Sequence, residues 1–292
     1  MKKVLGHFTF EITPMFNKNS KPLIMGILNV TPDSFSDGGK YTQVESAIEQ
    51  VRIMVEEGAD IIDIGGESTR PGSKSVSSDE QILRVIPVIK AIRLKFPDEL
   101  LISIDTTLAV VAKSALEAGA NIINDISAGQ GDKNILSVAS QFDAPIILMH
   151  MQGTPQNMQD NPHYDNVVTE VCDSLMCRVK EALSAGIKEQ NILLDPGIGF
   201  GKRREDNINL LANLEHIVAL GFPVLLGTSR KRFMGSLCAV SEPAELVTAT
   251  AVTTAIGVMS GIPIFRVHDV KENRQAADVA WAIKQADMYV AP

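Results

Sequence analysis

The residues able to do chemistry gather in eight short clusters, each at or just past the end of an apolar run. Asn29-Val30-Thr31-Pro32-Asp33-Ser34-Phe35-Ser36-Asp37-Gly38-Gly39 is the first and Gly65-Gly66-Glu67-Ser68-Thr69-Arg70-Pro71-Gly72 the second. The third run ends in Asp105, the fourth in Asn124-Asp125 and the fifth in Met149-His150-Met151. Then come Asp195-Pro196-Gly197-Ile198-Gly199-Phe200-Gly201-Lys202, Ser229-Arg230-Lys231-Arg232 and Arg266-Val267-His268-Asp269. A carboxylate such as Asp195 can accept a pair of N–H donors. An arginine fork next to a histidine, as in Arg266 and His268, can hold an anion. Each piece also has a plain structural use, because Asp after a strand caps the next helix and Gly and Asp make turns. Polar groups after every one of the runs ask for more than turn chemistry, since loops on a rigid scaffold are where sites are built.

The glycine-rich cluster does not match a nucleotide fingerprint. Lys202 stands where G-x-G-x-x-G requires its last glycine. Pro196 stands where a P-loop requires its first, and Arg203 replaces the Ser/Thr. Glycine here is better read as letting backbone approach a flat ligand.

A frame must bring these clusters together. The apolar runs are Leu23–Leu28, Ile61–Ile64, Leu101–Ile104, Asn121–Ile123, Pro145–Met149, Ile192–Leu194, Val224–Leu226 and Ile264–Val267. Helical patterns lie between them, such as Val44–Glu57, Asp79–Phe96, Val167–Ala185 and Ala244–Met259, and Lys271–Tyr289 follows the last run. Continuous apolar strands alternating with helices predict parallel strands covered by helices. Eight such units favour a closed (β/α)8 TIM barrel over an open doubly wound sheet, and 292 residues suit one such domain, with a core of about 23–290. In that barrel the clusters all fall at the C-terminal ends of the strands, where barrels carry their sites. Phe8-Thr9-Phe10-Glu11-Ile12 alternates in character and is expected to form a short N-terminal β-hairpin capping the bottom.

Composition narrows the partners. A net charge of -8, one Trp and no Lys/Arg block exclude nucleic acid as the expected partner. Any anionic substrate must be drawn by a local basic cluster. Three cysteines, Cys172, Cys177 and Cys238, make no disulfide framework and suit a reducing cytoplasm. No apolar run follows Lys2-Lys3, so no signal peptide is read there. Ala244–Phe265 imitates a membrane span, but its threonines and Gly261-Ile262-Pro263 make it a helix followed by a buried strand.

The motifs are specific enough to resemble a family. Met25–Gly39, Asp63–Gly72, Asp195–Lys202, Ser229-Arg230-Lys231 and Arg266–Asp269 are similar, in order, to the signature loops of bacterial dihydropteroate synthases. The resemblance implies a single-domain barrel, a homodimer, a need for Mg2+ and inhibition by sulfonamides that mimic 4-aminobenzoate. It implies a pterin held by Asp105, Asn124, Met149, Asp195, Phe200 and Lys231. It places the diphosphate on Asn29, Arg70, Arg266 and His268, with Asn29 the protein ligand of the magnesium. Asn29, Arg70, Lys231, Arg266 and His268 are then the catalytic set.

Phe35, Thr69, Pro71, Ser229 and Arg232 would line the aminobenzoate pocket. Many members of the family carry Ser where this chain has Arg232, so the carboxylate anchor is left open among a backbone N–H, Arg232 and Ser229. The clusters hold no His/Asp or Ser/His dyad, which suits attack by an aniline that needs little base assistance. Two other readings share a pterin pocket: a methyl transfer from a methylated folate to a corrinoid protein, and a non-catalytic paralogue. The combination of Ser229-Arg230-Lys231 with Arg266-Val267-His268 argues against the first, and intact Asn29, Thr69, Arg70, Asp105, Asn124, Asp195, Lys231, Arg266 and His268 argue against the second.

Overall fold

Each apolar run becomes a parallel strand, and each intervening amphipathic segment returns as a helix. The computed structural model describes residue 16 and residues 20–31, 40–68 and 75–288. The strands are β1 (Leu23–Asn29), β2 (Ile61–Gly65), β3 (Leu101–Asp105), β4 (Ile122–Asp125), β5 (Ile146–Met149), β6 (Ile192–Asp195), β7 (Leu225–Leu226) and β8 (Ile264–Val267). Neighbours run β6-β5-β4-β3-β2-β1-β8-β7. A parallel bridge from Leu194 to Val224 joins the two ends, and Leu194 N–H donates to Pro223 O at 2.9 Å. The sheet is therefore a (β/α)8 barrel. Strand β7 is the shortest, because Pro223 has no N–H for the ladder and Gly227 follows at once.

The helices are α1 (Lys40–Glu56), α2 (Ser78–Lys95), α3 (Ala109–Ala118), α4 (Asn134–Gln141), α5 (Val167–Ser184), α6 (Arg204–Ala212), α7 (Leu214–Val218), α8 (Arg232–Cys238), α9 (Val247–Ser260) and α10 (Val270–Met288). In α2, Ser77 caps the start by accepting from Glu80 N. Asp79 and Glu80 sit in its first turn and Arg93 and Lys95 in its last, matching the helix dipole. Gln81, Val85, Val88, Ile89 and Ile92 form its buried stripe, a helical spacing. The span-like stretch resolves into α9, a left-handed Gly261 cap and β8. No helix among the described residues is long and apolar enough to cross a membrane.

Several strands run further than the apolar runs, ending on Asn29, Gly65, Asp105, Asp125 and Asp195. A ladder is made of backbone, so a polar side chain can sit in it once its inward neighbours are satisfied. The hairpin expected at Phe8–Ile12 lies outside the described residues.

The barrel interior is filled in layers. Phe16, Leu23, Met25, Ile61, Leu101, Ile122, Ile147, Leu193, Leu225 and Ile264 form an apolar floor. One residue pair further along the strands, the inward positions become Asp63, Ser103, Asn124, Asp195 and Arg266. That change of character sets the position of the site.

Candidate active site

Asp63, in the middle of β2, is fully buried and organises this upper layer. Its Oδ2 accepts from Arg266 Nε at 2.6 Å and from Asn124 Nδ2 at 3.1 Å. Arg266 Nη2 also donates to Asp105 Oδ2 at 2.7 Å. The guanidinium of β8 is thus held by carboxylates from β2 and β3. An ionised Asp63 is acceptor-only, so the Asn124 amide must turn its NH2 inward and its Oδ1 away from that contact.

On the opposite wall, Asp195 Oδ1 accepts from Gly197 N at 2.7 Å. Gly197 and Gly201 have φ of +65° and +58°, and their missing side chains matter as much as their φ. A Cβ on Gly197 would lie 1.9 Å from His150 O, and one on Gly201 would lie 2.3 Å from Gln152 O. The loop after β6 is thereby pressed against the loop after β5. Lys202 is 3% exposed and lies under this loop, with Nζ 2.9 Å from Gly197 O, 3.0 Å from Phe200 O and 2.9 Å from His150 Nδ1. Lys231 Nζ stands 4.1 Å from the centre of the Phe200 ring, a cation–π contact. A side chain at Gly227 would enter the space 3.9 Å from Asp195 Oδ2 and 4.0 Å from Arg266 Cβ. Glycine keeps that position clear between them.

Burial pushes the Asp195 carboxyl up to about 6, against Gly197, Lys231, Lys202 and Arg266. Burial also raises Asp105, and Arg266 pulls the other way. The Lys231 ammonium is lowered to about 8 by burial and then by Arg266. Arg266 is held above its ordinary range because Asp63 and Asp105 outweigh the cost of burying it. Perturbed carboxyls and amines facing one cleft mark a site of binding or chemistry.

The loops after β7 and β8 are zipped together. Ser229 Oγ lies 3.0 Å from His268 Nδ1 and accepts from His268 N at 3.0 Å. Arg230, at φ +57°, donates Nε to Asp269 Oδ2 at 3.0 Å and Nη2 to Asp269 Oδ1 at 2.5 Å. A Ser/His pair therefore exists where none was read from the sequence. Ser229 both accepts from the backbone of His268 and faces its ring, which makes the pair a loop clamp. On the near side, Glu67 accepts from Val76 N at 3.0 Å and from Gln81 Nε2 at 2.9 Å, tying the two ends of the segment after β2. A cavity of about 450 Å³ opens between the loops after β2, β3, β4 and β5, with Asp105, Thr106, Ile126 and Met151 in its wall.

The structure brings Asn29, Asp105, Asn124, Met149, Asp195, Phe200, Ser229, Lys231, Arg266 and His268 to one end of the barrel. Arg266 points two of its donors into the barrel, so only the rest of its fork faces outward. Arg232 is exposed at the start of α8. Phe35, Thr69, Arg70 and Pro71 lie outside the described residues. Sequence reasoning missed Asp63, Gly227, the buried ammonium of Lys202 and the Arg230–Asp269 pair. Two signals marked Asp63: a charged residue inside the apolar run Ile61–Ile64, and its place at the head of the motif Asp63–Gly72.

Comparison with known proteins agrees with this geometry. The family described as pterin binding enzyme matches residues 25–268. A dihydropteroate synthase of Clostridium beijerinckii is 48% identical over 264 residues, covering 90% of this chain and 94% of the relative. The Yersinia pestis dihydropteroate synthase, solved with a sulfonamide drug, has a TM-score of 0.85 and 42% identity over 91% of this chain and 96% of its own. The Xanthomonas albilineans dihydropteroate synthase with 4-aminobenzoic acid has the same score and identity over 94% of this chain and 95% of its own. This chain belongs to the pterin-binding enzymes, among the dihydropteroate synthases.

Proposed function

We propose that this chain condenses 6-hydroxymethyl-7,8-dihydropterin diphosphate with 4-aminobenzoate, giving 7,8-dihydropteroate and diphosphate for folate biosynthesis. The observation that carries this reading is the convergence of the Asp195 carboxylate, the Arg266 guanidinium and the Phe200–Lys231 pair at one end of the barrel. Asp195 accepts from the pterin 2-amino group and adjacent ring N–H as a bidentate partner. Asn124, with its NH2 committed to Asp63, offers Oδ1 to a ring donor. Lys231 donates to the ring carbonyl, and Met149 and Phe200 pack on the faces.

His268, Arg70 and the outward part of Arg266 gather the diphosphate. The positive charge of the two arginines, with a hydrogen bond from His268, would stabilise the departing oxygens. As the C–O bond breaks, its electron pair leaves with the diphosphate. The aniline nitrogen then bonds to the methylene and loses one proton to solvent or to the leaving group.

Magnesium belongs to the same proposal. A Cβ on Gly65 would lie 3.7 Å from Asn29 Oδ1 and 3.6 Å from Glu67 O, so the glycine leaves two oxygens around one space. Among the described residues no group of three or more His, Cys, Asp or Glu could hold a metal alone. A weak oxygen anchor suits Mg2+, which keeps its waters and leans on substrate phosphates. When bound, it would supply positive charge to the leaving group. The test is direct: incubate the protein with both substrates, with and without Mg2+. Absence of dihydropteroate and released diphosphate in the complete mixture would sink the reading.

A homodimer fits the surface. Val252, Ile256 and Met259 of α9 and Val279 and Ile283 of α10 are exposed on two packed helices, an apolar face of the kind that marks an interface. A second copy of this chain is its proposed occupant. Ile256→Lys with Ile283→Lys should shift the sedimenting species from dimer to monomer. Sulfonamides are proposed to compete with aminobenzoate, and the unpaired cysteines, two of them exposed, support a cytoplasmic location.

A further inference from the structure

Most of the site's charged groups have an assigned role, but one buried cation does not. Among the described residues Lys202 hydrogen-bonds to no carboxylate; its partners are backbone carbonyls and the His150 ring. Three acceptors surround its Nζ within 3.0 Å: the carbonyls of Gly197 and Phe200, and His150 Nδ1. A fourth, His150 O, lies at 3.4 Å. An ammonium has three protons, so this cage matches it donor for acceptor. His150 is suited to accept. Burial, and then the charge of Lys202, lower its imidazole to about 3, leaving it neutral.

The two nearest carbonyls, those of Gly197 and Phe200, belong to residues that fix pterin-facing groups. Gly197 N–H aims the Asp195 carboxylate. The Phe200 ring carries the Lys231 ammonium. Tyr164 OH, donating to Gly201 O at 2.7 Å, ties the same turn from outside.

We propose that Lys202 is a positioning residue for the pterin pocket: with His150 it locks the glycine turn after β6, and through that turn it sets both Asp195 and the Phe200–Lys231 pair. The proposal rests on the pterin reading of the site. A turn with three positive-φ glycines has much backbone freedom to lose. A buried ammonium bonded to both ends of the turn removes that freedom before the ligand arrives, which is preorganisation.

The test uses the whole chain and two ligands, bare 6-hydroxymethylpterin and inorganic diphosphate, measured by calorimetry, with steady-state kinetics alongside. Lys202→Met is expected to weaken pterin binding ten-fold or more and to raise KM for the pterin diphosphate. Inorganic diphosphate affinity and KM for aminobenzoate should change less than two-fold. Combined with Phe200→Leu, the loss should be clearly less than the product of the two single losses, because part of the Lys202 effect passes through that ring. Unchanged pterin affinity, an equal loss of diphosphate affinity, or additive losses would each overturn the proposal.

A second pair covers the case in which Lys202→Met does not fold. His150→Gln keeps an acceptor for the ammonium and should bind pterin within three-fold of the parent, whereas His150→Leu should fall ten-fold. Equal behaviour of the two would overturn the proposal as well. Failure of the functional reading shows separately, as a parent chain that forms no dihydropteroate.

Discussion

Below Asp63 the barrel interior is packed with Phe16, Met25, Ile61, Ile147 and their neighbours; from Asp63 upward it holds carboxylates, amides and cations. The two layers share the same strands and lie one inward-facing residue apart. Burying each large apolar side chain of the floor stabilises the fold by about 1.5–3 kcal/mol. The upper layer works against that. Buried ion pairs such as Arg266–Asp63 lose hydration that their attraction barely returns. Asp63 Oδ1 and Ser103 Oγ, register partners on β2 and β3, are buried with no hydrogen-bond partner. Such groups cost about 1–3 kcal/mol each. The lesson is a division of labour: the floor supplies stability that the ligand-facing layer spends.

The harshest way to disturb this division is to break the ion network from within. Arg266→Ala leaves Asp63 and Asp105 buried without their guanidinium and should destabilise the protein by about 3–5 kcal/mol in denaturant unfolding at neutral pH, with turnover abolished. A loss below about 1 kcal/mol would mean that the upper layer is far better hydrated than its burial implies. In the floor, Ile147→Ala should cost about 2–5 kcal/mol through a cavity. Pterin affinity of the folded fraction should stay within two-fold. If calorimetry finds the pterin site crippled too, the layers are not separable.

Asp195→Asn should do the reverse of Ile147→Ala. It removes charge-assisted bonds to the pterin of about 1.5–3 kcal/mol, a loss of ten-fold or more in affinity. Stability should hold or rise, because a buried carboxylate is replaced by a neutral group. Unchanged pterin binding would remove Asp195 from the pocket.

The same carboxyl predicts a pH dependence. Burial raises Asp195 from its ordinary 3.8 to about 6, so the folded state favours the protonated form. Its contribution to stability is full below the ordinary value and is lost as pH rises through about 6. Pterin binding needs the carboxylate and runs the other way, weakening as pH falls through about 6. Titration of affinity should show that acid limb in the parent and a flattened one in Asp195→Asn; identical limbs would assign the effect to another group.

The smallest effect is expected at the rim. Arg232 is exposed, and oriented backbone amides hold a carboxylate without ordering a long side chain. Arg232→Ala and Arg232→Ser should change KM for aminobenzoate by less than about three-fold. A ten-fold loss of aminobenzoate specificity in both, about 1.4 kcal/mol, would make the side chain the anchor.

The local pattern of this chain was enough to determine the barrel and the end at which its site lies. Eight apolar runs separated by helical segments can bury both faces of their strands in few other ways. The clusters after those runs named most of the groups that meet: Asn29, Asp105, Asn124, Asp195, Lys231, Arg266 and His268. What they do to one another was decided by closure. Asp63 looked like one polar residue in an apolar strand, yet its partners Asn124 and Arg266 lie 61 and 203 residues away. Lys202 read as the tail of a glycine motif, but its acceptor His150 is 52 residues back. Ser229 and His268, scored as separate groups, form one clamp across 39 residues. Periodicity reports which face of an element is buried. It carries no record of which buried side chains from different strands come within hydrogen-bond distance, because strand tilt and stagger set those distances only when the barrel closes.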